Sequence, residues 1–160
     1  MPRLTLSIHS DLEDVSLLGV AIKGLCLYLG LGSASSNEAE LCVVEAVTNV
    51  ILHAYNGERG YAVDVAMWAN GDKVVFEITD SGTAMTSRQA EVLMHGTSRG
   101  ESEPQNSEPL NFQSLNKDAL AESGRGLQII HDLMDEVTYA RNVEGNCLTL
   151  TKRIGETNRR

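Results

Sequence analysis

The sequence predicts a single α+β domain, in which helices pack against antiparallel strands. Its length of 160 residues is within the usual size range of one domain. Two stretches early in the chain carry apolar residues at helical spacing, and two later pairs of alternating stretches are joined by glycine-containing turns. A hydrophobic fraction of 42% and a charged fraction of 22% are those of an ordinary packed protein.

The first part of the chain is predicted to form a strand and two helices. Residues 4–8 alternate between apolar and polar side chains, as in a strand with one buried face. Ser10 is predicted to be the N-cap of a first helix, whose apolar residues run from Leu12 to Leu29 until glycines end it. Ser36 is predicted to cap a second helix, which ends near Tyr55.

Two antiparallel hairpins are predicted further along the chain. Tyr61–Trp68 and Lys73–Thr79 flank Asn70-Gly71, a pair that favours a tight turn with positive φ. Glu136–Ala140 and Leu148–Lys152 form the second pair, joined by a turn at Gly145. These pairs account for the antiparallel part of the predicted fold.

The segment between the hairpins is predicted to contain two helices and a lid. Thr86–Met94 is predicted to form a short helix, and Leu127–Met134 a better-defined one. The stretch at about 96–123 is long, polar and rich in Ser, Asn and Glu. Because a connection longer than about 15 residues in a compact domain is usually functional or disordered, we interpret it as a mobile lid.

Charge and composition argue against several classes of function. The net charge of -9 and the scattered Lys and Arg residues oppose a phosphate backbone, so we expect no direct nucleic-acid partner. No apolar run approaches the roughly 20 residues that span a bilayer, so we expect no membrane insertion. Cys26, Cys42 and Cys147 are widely spaced and lack a metal-ligand pattern, as expected of reduced thiols in the cytoplasm.

The second predicted helix carries a polar stripe that is a candidate for chemistry. Glu45, Asn49 and His53 recur every four residues and therefore share one helix face. A carboxylate can accept a proton, and an amide oxygen one turn away can bind Mg²⁺. Taken alone, this pattern is more typical of a solvated helix face. For His53, which has no second ligand beside it, a structural hydrogen-bonding role is favoured over catalysis.

Two glycine-containing turns are the other candidates. Asp80-Ser81-Gly82 directly follows an apolar strand, which delivers the Asp80 carboxylate at a strand end where it could bind an adenine amino group. Gly124-Arg125-Gly126-Leu127 precedes a helix and can expose backbone N–H groups to a polyphosphate. Taken alone, Asp-Ser-Gly is simply a common turn.

Two other phosphate-binding motifs do not fit these glycines. A Walker A loop needs Gly-x-x-x-x-Gly-Lys-Ser/Thr, which the chain lacks. A Rossmann fingerprint needs a third glycine where Ile129 stands, and it needs a strand where the preceding segment is polar. A simple helix-start turn remains open, but it explains neither the Glu45/Asn49 stripe nor the Asp80 turn.

In this order, the three motifs resemble the ATPase superfamily shared by gyrase, heat-shock chaperones and histidine kinases. They stand as EAVTNVILHAY at Glu45–Tyr55, as Asp80-Ser81-Gly82 and as Gly124-Arg125-Gly126-Leu127. The short chain, the His-Ala-Tyr after Asn49 and the run Gly-Arg-Gly-Leu-Gln-Ile-Ile look similar to one branch, the anti-sigma-factor serine/threonine kinases of partner-switching systems. The resemblance extends from about Leu4 to Ile154.

The resemblance implies a fold and an activity. The fold is a two-layer α/β sandwich, with helices on one face of a mostly antiparallel mixed sheet. Residues 1–160 would form one ATP-binding kinase domain, with a mobile ATP lid at about 96–123. Such proteins use ATP and Mg²⁺ to phosphorylate a serine on a STAS-domain anti-sigma antagonist, and they otherwise sequester a sigma factor. A homodimer is also expected from the family.

The resemblance also implies a role for each matched residue. Glu45 would be the catalytic base that activates the serine hydroxyl, and Asn49 would ligate Mg²⁺. Asp80 would read the adenine, and Gly82 would let its ring approach. Ala84 would stand at the mouth of the nucleotide pocket, where the family more often has glycine. The motif that would line the phosphates comprises Gly124, Arg125, Gly126 and Leu127.

Departures from the family pattern leave alternative hypotheses open. Cys147 stands where a threonine is usual, and a thiol is a weaker hydrogen-bond donor than a hydroxyl. Together with Ala84 and the long lid, it suggests an ATP-dependent binding antagonist with little or no kinase activity. The detached ATPase domain of a histidine kinase ranks last, because the chain contains no long helical hairpin to present a phospho-acceptor histidine.

Overall fold

Five strands form one sheet in the computed structural model, which describes residues 3–96 and 125–155. The strands are β1 (Leu4–His9), β2 (Ala62–Asn70), β3 (Lys73–Asp80), β4 (Glu136–Asn142) and β5 (Gly145–Arg153). Their order across the sheet is β1-β2-β3-β5-β4, and all four pairings are antiparallel. The two predicted hairpins are therefore joined through β3 and β5.

Helices form the second layer. The described part of the chain contains α1 (Leu12–Tyr28), α2 (Ser33–Asn49), a π-helical turn (Val50–Ala54), α3 (Ser87–His95) and a final helix, α4, over 125–133. The two helices predicted between the hairpins are therefore present. None of the helices in these ranges is both long and apolar enough to cross a bilayer.

The core lies between the helices and one face of the sheet. On this face, β-strand register places Val65 opposite Ile78 and Phe76 opposite Leu150, and all four side chains are buried. The helices contribute buried side chains such as Val47 to the same cluster. The predicted α+β class is confirmed. The sheet is wholly antiparallel over the described strands, whereas the prediction allowed for a mixed one.

Both predicted helix caps are wrong in detail. Asp11 is the N-cap of α1 and accepts a hydrogen bond from the backbone N–H of Glu13. The Ser10 hydroxyl instead donates to the backbone oxygen of Glu58, a long-range contact that sequence cannot show. Helix α2 begins at Ser33, so Ser36 lies inside its first turn and is fully buried.

The predicted lid at about 96–123 lies outside the described residues, apart from Gly96. Gly96 follows α3 with a φ of 72°, a positive value that glycine adopts without steric cost. Helix α3 starts with a capping box between Thr86 and Gln89.

Candidate functional site

The end of β3 holds the Asp80 carboxylate in a defined orientation. Asp80 is opposite Asn146 in the β3–β5 register. The Asp80 Oδ1 accepts hydrogen bonds from the Asn146 Nδ2 and from the Gly82 backbone N–H, both at 2.8 Å. Its Oδ2 accepts no hydrogen bond from the described residues. One oxygen is therefore anchored to the protein, and the other is available to a ligand.

The turn after Asp80 packs against the π-helical turn at the end of α2. The Thr83 backbone N–H donates to the Ala54 carbonyl oxygen at 2.9 Å. A Cβ built on Gly82 would lie 2.6 Å from the same oxygen, closer than any side chain tolerates. Contact with Ala54 therefore requires glycine at position 82. Nothing in the described structure assigns this glycine to the approach of an adenine ring, which stays a prediction.

Tyr55 holds the turn after Asp80 through hydrogen bonds of its hydroxyl group. Its hydroxyl accepts a hydrogen bond from the Ser81 N–H at 2.9 Å and donates to the Ala62 carbonyl oxygen at 2.8 Å. The ring stacks on Tyr61, with centroids 4.8 Å apart. Burial raises the pKa of Tyr55, although the Ser81 N–H acts in the opposite direction. Tyr55 thus connects the end of the helical layer to the end of β3.

The polar stripe of α2 lies beside the start of α4. A Cβ built on Gly126 would be 2.6 Å from Glu45 Oε2 and 3.5 Å from Asn49 Nδ2. Because Cβ atoms essentially never lie within 3.0 Å of another heavy atom, only glycine fits beside the carboxylate without displacing it. The fold therefore brings the Glu45/Asn49 stripe and the Gly124-Arg125-Gly126 motif together at Gly126.

A cavity of about 200 Å³ lies between the α2 stripe and the β3 end, and both Asn49 and Asp80 line it. Its wall is largely apolar with a few polar side chains, which is typical of small-molecule sites. Further wall residues that bear on function are His53, Ala84, Met85, Leu127, Tyr139 and Asn146. Drug-sized ligand sites measure roughly 300–1,000 Å³. This cavity therefore matches one part of a nucleotide, such as its base, rather than the whole molecule.

Of the remaining predicted site residues, some line this cavity and others do not. Ala84 and Leu127 are part of its wall. Arg125 is exposed at the beginning of α4 and is not among the described wall residues. Gly124 lies outside the described residues. The wall thus includes the last residue of the glycine motif, and Gly126 contacts the Glu45 and Asn49 side chains behind it.

No sequence motif singled out Tyr139 or Asn146, which line the cavity, and Cys147, one of the departures from the family pattern, does not line it. Asn146 shares the core-side face of β5 with Leu148 and Leu150, whereas Cys147 points to the opposite face, where its thiol is 4.0 Å from the Thr149 hydroxyl. Cys147 consequently does not line the candidate cavity, and Asn146 does. The sequence could have predicted this orientation of Asn146: side chains alternate along a strand, so Asn146 shares the apolar face of Leu148 and Leu150.

His53 lines the cavity next to Asn49, although the helix between them is not regular. The π-helical turn is visible in the hydrogen bond from the Tyr55 N–H to the Val50 carbonyl oxygen at 3.0 Å. Such turns are rare and are frequent at functional sites. The predicted structural hydrogen bond of His53 is not found among the described residues. Its side chain instead forms part of the cavity wall.

Comparison with known proteins assigns a family to this arrangement. The sequence model described as the histidine kinase-like ATPase domain matches residues 8–152. The chain belongs to the histidine kinase-like ATPase domain family. The matched range contains the α2 stripe, the Asp80 turn and Gly126, so the family match covers every part of the candidate site.

Relatives within the histidine kinase-like ATPases are similar over almost the whole chain. The serine-protein kinase RsbW of Listeria monocytogenes is 26% identical over 156 residues, covering 96% of this chain and 88% of the relative. The serine-protein kinase RsbW of Staphylococcus aureus is 27% identical over 152 residues, covering 94% and 86%. The predicted resemblance to serine kinases of partner-switching systems is confirmed by these relatives.

A solved structure shares the fold. A chain in the crystal structure of the SiaB–SiaC complex from Pseudomonas aeruginosa is similar with a TM-score of 0.55 at 16% identity, covering 92% of this chain and 87% of that chain. At this identity the similarity concerns the fold alone. It agrees with the helical layer on an antiparallel sheet described above.

Membership of an ATPase family implies ATP as the ligand, and the described side chains fit a nucleotide with a metal ion. Asn49 Nδ2 is buried and has no hydrogen-bond partner in the described structure, so no described protein group holds this nitrogen. The oxygen of the same amide is a suitable ligand for Mg²⁺ alongside phosphate oxygens and water. Within the described ranges, no group of three or more His, Cys, Asp or Glu is arranged to hold a metal ion by itself.

Proposed function

We propose that this chain is a serine kinase that uses ATP and Mg²⁺ to phosphorylate a STAS-domain anti-sigma antagonist, and that it otherwise sequesters a sigma factor. One observation carries the proposal: Asn49 and Asp80 line the same cavity, and Glu45, which is not part of its wall, lies beside Gly126 on the same helix face as Asn49. Similarity to serine-protein kinases over almost the whole chain supports the same activity.

Each of these side chains has a separate task in the proposed reaction. Asp80 would bind the exocyclic amino group of adenine through Oδ2. Asn49 would hold Mg²⁺, which when bound neutralises charge on the phosphates. Glu45 would accept the proton of the substrate serine hydroxyl while the serine oxygen bonds to the γ-phosphorus and ADP leaves. Because positioning supplies most of the acceleration in phosphoryl transfer, the fixed spacing of Glu45 and Gly126 is central to the proposal.

Other parts of the proposal come from the family resemblance. Gly124, Arg125 and Gly126 would line the phosphates, and the segment at about 96–123 would close over them. A homodimer and a cytoplasmic location belong to the same proposal. They are checked by the mass of the purified protein in solution and by cell fractionation.

The direct experiment is a transfer assay with matched variants. Purified protein, a cognate STAS-domain protein and ATP labelled in its γ-phosphate are expected to yield a phosphoserine only when Mg²⁺ is present. Glu45→Gln should lower transfer by about 10²- to 10⁴-fold, the range for loss of a general base, with ATP affinity nearly unchanged. The control is Glu40→Gln on the same helix, because Glu40 pairs with Lys23 away from the cavity. Normal transfer by Glu45→Gln would show that Glu45 is not the base.

The alternative function, an ATP-dependent antagonist with little or no kinase activity, has lost part of its support. It drew on Cys147, which lies on the face of the sheet opposite the cavity. Ala84 still differs from the family pattern and does line the cavity. The same assay separates the two functions, because the antagonist would bind its partner in an ATP-dependent way without forming phosphoserine.

A further inference from the structure

A chain of hydrogen bonds connects the backbone after Asp80 to the Asp80 carboxylate through two side chains of the β4–β5 hairpin. The Met85 N–H donates to the Tyr139 hydroxyl, and that hydroxyl donates to the Asn146 Oδ1, both at 3.0 Å. The Asn146 Nδ2 donates to Asp80 Oδ1 at 2.8 Å and to the Gly82 carbonyl oxygen at 3.1 Å. Asn146 is 3% exposed.

The donor-to-acceptor direction of these hydrogen bonds is fixed at the first one, from the Met85 N–H. A backbone N–H can only donate, so Met85 occupies an acceptor site of the Tyr139 hydroxyl and the hydroxyl proton is directed to Asn146. The carboxamide of Asn146 then has its oxygen toward Tyr139 and its nitrogen toward Asp80. Without the Tyr139 hydroxyl, Asn146 Oδ1 loses the donor that holds it, and only the two hydrogen bonds of its nitrogen keep the amide in place.

Both N–H donors of Asn146 are used within the protein, so this side chain has none left for a ligand. These two donors act on a ligand through Asp80 and Gly82. Because Asp80 Oδ1 is held by Asn146 and Gly82, the carboxylate cannot turn freely, and Oδ2 stays directed away from these anchors. A fixed acceptor discriminates more strongly between ligands than a mobile one, since a mismatched ligand leaves it unpaired.

We propose that Asn146 and Tyr139 are positioning residues that set nucleobase selectivity by holding the Asp80 carboxylate in one orientation. The inference rests on the proposed function, because it takes Asp80 as the acceptor of the adenine amino group. Neither residue belongs to the motifs that carry the family resemblance. The selectivity they confer is for a purine with an exocyclic amino group at the position that faces Asp80.

The test compares two nucleotides across a set of variants. Dissociation constants are measured for ATP and for purine riboside triphosphate, which is ATP without its exocyclic amino group. Wild type is expected to prefer ATP by about 10- to 100-fold, as for one hydrogen bond to a charged acceptor. Asn146→Ala should reduce this preference to within about threefold, and Tyr139→Phe should give an intermediate value.

The matched control is Cys147→Ala. Cys147 is adjacent to Asn146 in β5, but its side chain lies on the opposite face of the sheet, so the preference for ATP should equal that of wild type. Circular dichroism confirms that each variant is folded. If Asn146→Ala does not fold, Tyr139→Phe still tests the inference, because it removes a single oxygen atom.

The outcomes separate this inference from the proposed function. If Asn146→Ala or Tyr139→Phe binds both nucleotides more weakly but keeps the wild-type preference, the residues act only on stability and the inference is overturned. If wild type binds ATP without any preference over the analogue, Asp80 does not read the amino group. That result overturns the assignment of Asp80 in the proposed function, and with it the inference.

Discussion

Glu45 and Gly126 are packed so closely that a Cβ on Gly126 would lie 2.6 Å from the Glu45 Oε2. We predict that Gly126→Ala lowers phosphoryl transfer by about 10²-fold, because a displacement of roughly 1 Å in a catalytic group has an effect of this size. Stability should change by less than about 1 kcal/mol, since the carboxylate can move and alanine favours the helix. Transfer rates and urea denaturation measure the two effects.

The control for Gly126→Ala is Gly24→Ala. Gly24 lies within α1, and a Cβ there would meet nothing within 4 Å. This variant should gain up to about 1 kcal/mol of stability from helix propensity and keep wild-type transfer. A Gly126→Ala enzyme with full transfer activity would contradict the close packing of Glu45 on Gly126.

Asn49→Leu is predicted to separate ligand binding from stability. Removal of a buried amide nitrogen without a partner should leave the free energy of unfolding without ligand unchanged or increase it, since such an atom costs about 1–3 kcal/mol. The stabilisation by ATP with Mg²⁺ should largely disappear; for wild type it is about 2.7 kcal/mol at a ligand concentration of 100 times Kd. Thermal unfolding with and without EDTA measures both. Mg²⁺-dependent stabilisation of Asn49→Leu equal to that of wild type would refute the metal assignment.

Tyr55→Phe is predicted to destabilise the protein through the Asp80 turn. The substitution removes the hydrogen bonds of the Tyr55 hydroxyl with the Ser81 N–H and the Ala62 carbonyl oxygen, each of which contributes about 0.5–1.5 kcal/mol. Tyr61→Phe is the control, because among the described residues the Tyr61 hydroxyl bonds only to the exposed Glu58 carboxylate, and its loss should change stability by less than about 0.5 kcal/mol. Both variants keep the stacked rings. Equal effects in urea denaturation would show that the hydroxyl of Tyr55 does not support the turn.

Alkaline pH is predicted to destabilise the fold through two buried thiols. Burial raises the pKa of Cys26 and of Cys42 from 9.0 to about 12. Between these values the unfolded chain loses thiol protons that the folded chain retains, so the free energy of unfolding falls as pH rises. The decrease is at most about 1.4 kcal/mol per pH unit for each thiol.

The thiol contribution is isolated by comparing wild type with a Cys26→Ala, Cys42→Ala variant from pH 8 to pH 11. The stability of wild type should fall more steeply with pH than that of the double variant, whatever their difference at pH 8. If the free energy of unfolding falls equally with pH in both proteins, these thiols do not cause the loss of stability at alkaline pH.

Local patterns predicted most of the elements because they depend on geometry that each segment carries by itself. The spacing of Glu45 and Asn49 places them on one helix face through the 3.6-residue period. Asn70-Gly71 predicted the β2–β3 connection one residue early: Asn70 ends β2 opposite Lys73, and the turn is formed by Gly71, with a φ of 63°, and Asp72.

The cap at Ser36 was wrong because α2 already begins at Ser33, and the Ser36 hydroxyl donates to the nearby Leu31 carbonyl oxygen. The cap at Ser10 was wrong because a long-range contact competes with the local one. Glu58, far along the chain, binds the Ser10 hydroxyl.

The sequence by itself determined the α+β class, both hairpins, the polar stripe on α2 and the acidic turn after β3. Only the tertiary structure decided that β5 lies between β3 and β4, that Gly126 packs on Glu45, and that Asn146 rather than Cys147 faces the cavity. The physical reason is that periodicity orients a side chain relative to its own element. Its neighbours depend on how distant elements pack to bury their apolar faces together.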